Sequence, residues 1–250
     1  MTLWKLPRKP EPEEMDEADQ VESYSSAAVD KHLDAIDNTF VDHALRLIPP
    51  APEWLADHPW GLDIGTGPAE IPIKLLKKIP ELQIIGVDRS RNMLARARQN
   101  SMREGVSDRL YLAAGDGHSL PFPNGMFAMV FCNSILHHVR EPVQLLREMV
   151  RVAKPDAPLL LRDLRRPSRL ELRWHLWRHG RNYEGLMRGL FEDSVRAAYT
   201  LEELQDFIRQ SKFDGLATFR FRGAHIGIER RAHSFRSTFG NVSQTLMPQK

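Results

Sequence analysis

The chain has 250 residues, 42% of them hydrophobic and 27% charged, enough to bury one sizeable core with a small subdomain beside it, so disorder throughout is excluded. A net charge of +2 gives no argument for a polyanionic partner, and a single cysteine, Cys132, excludes an internal disulfide framework and a four-thiolate zinc site. No run reaches the roughly 18 to 20 apolar residues of a membrane helix and the start lacks the apolar centre of a secretory signal, which predicts a cytoplasmic protein with no integral membrane association.

Residues 1–20 are rich in proline and charge and are expected to form a flexible leader. Residues 21–50 form a helical cap: Val29, Leu33, Ile36, Phe40, Val41, Ala44 and Leu45 recur at three- and four-residue steps, and Pro49-Pro50 ends them. A different rhythm follows. Residues 60–64 are a short apolar run broken by Gly65-Thr66-Gly67, and residues 69–78 have helical spacing up to Pro80. Residues 82–87 are a second run closed by Asp88, then come a helix over 92–104 and a third run over 110–114. Residues 126–132, a helix over 143–152 and residues 159–161 complete the alternation. Strands alternating with helices predict a parallel sheet covered on both faces, a doubly wound α/β core over residues 51–163.

Residues 164–200 interrupt that alternation with a helical insertion, placed where a doubly wound fold builds its substrate pocket. A helix over 201–211 and apolar runs at 216–221 and 224–228 then complete the sheet within residues 201–235, and 236–250 is a tail. The stretch 162–181 holds seven arginines against Asp163 and Glu171, with Trp174 and Trp177 among them. Such a pattern can grip RNA or an anionic surface. A solvated arginine face is the commoner outcome, and arginines lining an acceptor pocket would suit a carboxylate or phosphate.

The chemistry concentrates at the strand ends. Asp63 precedes the glycine turn by two residues, and a turn leading into a helix presents unpaired N–H groups to a ligand. A dinucleotide loop would place a pyrophosphate there and a glycine at position 70; here Glu70 stands at that position, and Asp63 would repel the pyrophosphate. A carboxylate suits a ligand ammonium instead. Asp88 lies about 20 residues beyond the loop, the distance at which an acid reaches the two hydroxyls of a ribose. Ribose with ammonium and without pyrophosphate describes S-adenosyl-L-methionine.

With Leu62-Asp63-Ile64-Gly65-Thr66-Gly67, Gly86-Val87-Asp88, Gly115-Asp116-Gly117-His118, Asn133-Ser134-Ile135-Leu136-His137-His138 and Leu146 to Pro155, residues 60–163 resemble the class I S-adenosylmethionine-dependent methyltransferases. The resemblance lies nearest the ubiquinone and menaquinone biosynthesis C-methyltransferases. It implies a seven-stranded Rossmann-like sheet, mostly parallel with the last strand antiparallel. It also implies cofactor contacts at Asp63, Gly65, Thr66, Gly67, Asp88, Arg89, Met93, Asp116, Gly117 and Asn133. Met93 would lie against the adenine, Asp116 would accept from its amino group, and Asn133 would line the methionine side. Ala69 stands where many members have a third glycine.

His137 and His138, after the fourth strand, are the candidate catalytic residues at the acceptor edge, able to remove a proton or only to shape the pocket. Cys132 is expected to be buried and inert. His175 and His179 have i,i+4 metal-ligand spacing without a third ligand nearby, so no metal is expected. The expected reaction is methyl transfer to a small organic acceptor at carbon, oxygen or nitrogen, with nucleic acid an improbable partner. The alternatives are methylation of RNA or protein docked on residues 162–181, and a regulator that binds the nucleoside without transferring anything. Asn133-Ser134-Ile135-Leu136 is not the Asn-Pro-Pro-Tyr that amino-group methylation usually carries.

Overall fold

The computed structural model describes residues 4–11, 31–48 and 60–232. Residues 21–30 of the helical cap, Tyr24 and Val29 among them, and the tail 236–250 lie outside the described residues. Helix α1 (Lys31–Leu47) precedes strand β1 (Trp60–Ile64), helix α2 (Glu70–Lys78), β2 (Gln83–Asp88), α3 (Arg91–Arg103) and β3 (Leu110–Ala114). Then come β4 (Met129–Asn133), a 3₁₀ turn at Leu136–His138, α4 (Pro142–Val152) and β5 (Leu159–Leu164). The insertion folds as two helices, α5 (Leu172–Gly180) and α6 (Gly185–Ala197), before α7 (Leu201–Ser211), β6 (Ala217–Phe221) and β7 (His225–Arg230).

The strands form one sheet in the order β3-β2-β1-β4-β5-β7-β6. β1 pairs in parallel with β2 and β4, and β7 runs antiparallel to both β5 and β6, as the family resemblance implies for the last strand. The strand order reverses between β1 and β4, so their carboxyl ends open the crevice in which such sheets bind ligands.

Period-two alternation divides the core into two layers. Val130, Cys132, Leu159 and Leu161 face Leu145, Leu146, Met149 and Val152 of α4 and Leu204 of α7. Met129, Phe131 and Leu160 face Phe40, Val41 and Ala44 of α1 and Leu75 and Leu76 of α2. Each such side chain contributes about 1.5–3 kcal/mol by leaving water. Local chemistry sets the helix starts. Ser90 Oγ accepts the Met93 N–H at the head of α3, and Thr200 and Glu203 form a reciprocal capping box at the head of α7.

Residues 4–11, expected to be part of a flexible leader, lie against the body instead. The Lys9 N–H donates to Arg196 O (3.1 Å), and the Arg8 guanidinium donates to Ala197 O (2.6 Å) and His137 O (2.7 Å) while stacking 4.1 Å over the Tyr199 ring. Pro7 and Pro10 restrict the backbone on either side, which lowers the entropy lost on docking. Composition registers charge and proline but not the carbonyls this segment meets.

Candidate functional site

The β1–α2 turn is built by backbone constraint. Gly65 has φ +71°, and a Cβ there would come within 2.4 Å of Ile135; its N–H and that of Thr66 both donate to Val87 O (2.7 and 3.0 Å). Gly67 has φ +52° with nothing within 4 Å of a would-be Cβ, leaving an open cradle at the start of α2. Ala69 takes φ +65°, the left-handed conformation in which a glycine would be unstrained.

Asp88 at the end of β2 accepts from the Gly67 N–H (2.8 Å) and the Ser90 N–H (2.9 Å). It fastens the first loop to the second. Asp63 is buried in the same crevice, and burial, with Asp88 and Asp37 nearby, pushes its carboxyl up to about 8. Asp116 after β3 accepts from Arg89 Nη2 (2.6 Å) and from both the backbone N–H (2.8 Å) and the ring of His118. Burial alone would raise its pKa, but these hydrogen bonds hold it below the usual carboxylate range. Met93, Gly117 and Asn133 line the same crevice, so the structure gathers all ten sequence-predicted cofactor residues around one cavity of about 510 Å³.

Two residues there escape sequence reading. Asp37, on α1, lines the cavity, and burial lifts its carboxyl to about 7 against the pull of Lys74 and Arg162. The signal was its place on an apolar row, four residues from Leu33 and from Val41. Arg162, which the sequence groups with a solvated arginine run, is only 1% exposed. It donates to Asn133 Oδ1 (3.1 Å), Thr39 Oγ1 (2.9 Å) and Ile36 O (3.1 Å), and its guanidinium lies 4.9 Å from the Phe40 ring centroid. Arg166 is buried too, paired with Glu203 (2.6 Å). Arg169, Arg173, Arg178 and Arg181 are exposed, with Trp174 and Trp177 beside them at 59% exposure each.

His137 and His138 also line the cavity, beyond the strained Ser134 (φ +58°) that turns the chain after β4. His137 Nδ1 lies 2.7 Å from Asp163 Oδ1, and the same carboxylate accepts the His137 backbone N–H (2.9 Å). Burial opposes a charge on this ring, but the Asp163 and Glu11 carboxylates outweigh it and hold its pKa above the ordinary histidine value. Cys132 is buried, and burial raises its thiol pKa well above the ordinary value. His175 and His179 do share a face, with ring centroids 4.7 Å apart. His175 is fully buried, with no hydrogen-bond partner at either ring nitrogen among the described residues, and burial lowers its pKa to about 4.

A glycine cradle, a carboxylate ending β2 and buried acids facing a cavity of small-molecule size are the features of a site for a cationic nucleoside. Residues 62–161 match the family described as a methyltransferase domain. The fold is also that of the plantazolicin methyltransferase BpumL solved with SAH and a triazolic desmethylPZN analogue, at TM-score 0.66 and 12% identity, covering 87% of this chain and 92% of that one. The chain therefore carries a class I S-adenosylmethionine-dependent methyltransferase domain, and S-adenosylmethionine is its cofactor. Among relatives, a demethylmenaquinone methyltransferase of Anoxybacillus flavithermus is 28% identical over 181 residues, 66% of this chain and 76% of that protein. An uncharacterised methyltransferase of Schizosaccharomyces pombe is 32% identical over 99 residues, covering 38% of this chain; the match spans only 36% of that relative's length.

Proposed function

We propose that the protein transfers the methyl group of S-adenosylmethionine to a small organic acceptor with an apolar body. The observation that carries this reading is the continuity of the cavity. The walls that hold Gly67, Asp88 and Asp116 run on into Leu164, Met187, Leu190, Phe191 and Phe221. An apolar wall with a few convergent polar groups is the form of a small-ligand site, and the relative named for demethylmenaquinone supports an acceptor of that kind. Arg178, His179 and Arg222 on the same lining suit an acidic group on the acceptor.

In this mechanism Asp88 receives the ribose hydroxyls, while Asp63, aided by Asp37, faces the ammonium. Met93 packs against the adenine, whose amino group donates to Asp116. Arg89 and His118 fix the Asp116 carboxylate, and Asn133, held by Arg162, lines the methionine side. When bound, the cofactor supplies a methyl already activated by a sulfonium, so the chain's main task is alignment, which can contribute about 7–11 kcal/mol. His137 and His138 face the acceptor rather than the cofactor and act on its nucleophilic atom.

Calorimetric titration tests the cofactor side. Asp88→Ala is expected to weaken S-adenosylmethionine binding about tenfold to hundredfold, the effect of losing hydrogen bonds to a charged group worth about 1.5–3 kcal/mol; equal affinity would refute the ribose assignment. Incubation with methyl-labelled cofactor and a fractionated cell extract tests the acceptor. The exposed Trp174 and Trp177 among arginines favour a second reading, methylation of a docked macromolecule, which label in RNA or protein would support.

A further inference from the structure

The histidines at the acceptor edge form a cluster that alignment alone does not explain. Glu11, His137 and His138 bring one ligand atom each within 4.8 Å of one another. One oxygen, Glu11 Oε2, faces both rings, 3.9 Å from His137 Nε2 and 3.5 Å from His138 Nδ1. These separations suit ligands of a shared ion, because donors 2.0–2.1 Å from a tetrahedral metal lie about 3.4 Å from each other. Glu11 also accepts from Ser194 Oγ (3.3 Å), and the two rings lie with centroids 4.2 Å apart.

The surroundings of His137 favour the same role. Asp163 holds Nδ1 at 2.7 Å, which directs Nε2 toward Glu11. A carboxylate behind a histidine whose other nitrogen faces outward is the arrangement that orients metal-binding imidazoles and raises their basicity. Asp163 is 2% exposed and Glu11 is largely enclosed. Two enclosed carboxylates around two imidazoles make a place for a divalent cation.

We infer that Glu11, His137 and His138 bind a divalent transition-metal ion, of the zinc, cobalt or iron(II) class, at the acceptor end of the cavity. Two imidazoles and one carboxylate with a position left open is the donor set of such catalytic sites. His137, His138 and Ser194 line the cavity, so an ion between the rings is reached from the acceptor side. This rests on the proposed methyltransferase reading and deepens it: the acceptor would bear an oxygen, a hydroxyl or an enol. Bound to the ion, that oxygen sheds its proton to solvent more readily. Its electron pair then forms the new O–CH₃ bond as the C–S bond breaks, the C–S pair returning to sulfur and neutralising the sulfonium. Sequence reading weighed His175 with His179 and expected no metal for want of a third ligand nearby; the Glu11 cluster escaped it because Glu11 lies 126 positions from His137.

Titration of tag-free, metal-stripped full-length protein with Co²⁺, followed by Zn²⁺ competition, tests this. The expected result is one equivalent of Co²⁺ with the visible band of a four- or five-coordinate ion, bleached by Zn²⁺. Glu11→Gln and His138→Ala should each weaken uptake tenfold or more, and Asp163→Asn about 10- to 100-fold through the His137 ring. Absence of a saturable one-equivalent band in the wild-type protein overturns the inference, as does unchanged affinity in both Glu11→Gln and His138→Ala, which would place the ion elsewhere, such as at His175 and His179. Circular dichroism of each variant separates lost ligation from lost fold. S-Adenosylmethionine affinity of the metal-free wild type reports separately on the cofactor site, so failure of the two readings is distinguishable.

Discussion

Asp63 and Asp37 are carboxylates that burial keeps protonated up to about pH 8 and pH 7 respectively. A cationic ligand in the same crevice favours their charged forms, so binding expels protons. The sign follows: below these pKa values each proton must leave before the attraction is gained, so S-adenosylmethionine affinity should rise from pH 6 to pH 8 and level off above. Calorimetry in buffers of different ionisation enthalpy would read the released protons directly. Asp63→Asn should flatten most of the slope, and a flat wild-type profile would show that these acids do not face the cofactor. Gly67 makes a second prediction at this scale. Its φ of +52° strains any side chain, and the open space around it is where the proposed function places the cofactor. Gly67→Ala should cost about 1 kcal/mol of stability and weaken cofactor binding by more than that cost accounts for, seen by comparing thermal melts with titrations.

Helix α1 is joined to the sheet by a buried cation rather than by apolar contact alone. Arg162 reaches from β5 to Ile36 O and Thr39 Oγ1, with the Phe40 ring against its guanidinium. Arg162→Met keeps most of the volume but removes three hydrogen bonds from a charged donor. At about 1 kcal/mol or more each, the loss is roughly 3 kcal/mol, or about 6–12 °C in Tm for a domain this size. Faster hydrogen exchange along α1 should accompany it, and an unshifted melt would mean that the apolar face of α1 suffices. This element also shows what the sequence could reveal. The β1–α2 turn, the acids ending β2 and β3, and the strand–helix alternation were legible because each is written in neighbouring residues. Asp37 and Arg162 were not, because a charge within an apolar row or an arginine run takes its meaning from what faces it. The solvated-face reading fits Arg169 and Arg173 and fails at Arg162 and Arg166, one stretch divided by tertiary packing.

At the scale of the whole molecule, the proposed acceptor side of the cavity is backed by parts far apart in the chain. Residues 4–11, the 3₁₀ turn and α6 meet there, and Arg8 joins them through Ala197 O, His137 O and the Tyr199 ring. Tyr199 in turn donates its hydroxyl to Val139 O (2.8 Å), so the segment is tied to a hydrogen-bonded corner. The proposed cofactor side is assembled by the ends of β1, β2, β3 and β4, by the loops that follow the first three, and by Asp37 of α1, and no hydrogen bond or ring contact of Arg8 among the described residues falls on these. Arg8→Ala should therefore separate the two halves of the site. Its charge-assisted hydrogen bonds to Ala197 O, His137 O and Val139 O (3.4 Å) and a stacked ring contact are lost, together about 3 kcal/mol, which lowers Tm by roughly 6–12 °C. Because Glu11 and His137 lose their tether, KM for the acceptor should rise, while S-adenosylmethionine affinity stays within about twofold, since among the described residues the hydrogen bonds and ring contact of Arg8 fall on the proposed acceptor side. A variant that lost both affinities in parallel would show instead that the two sides fold and bind as one cooperative unit, with residues 4–11 acting on stability alone.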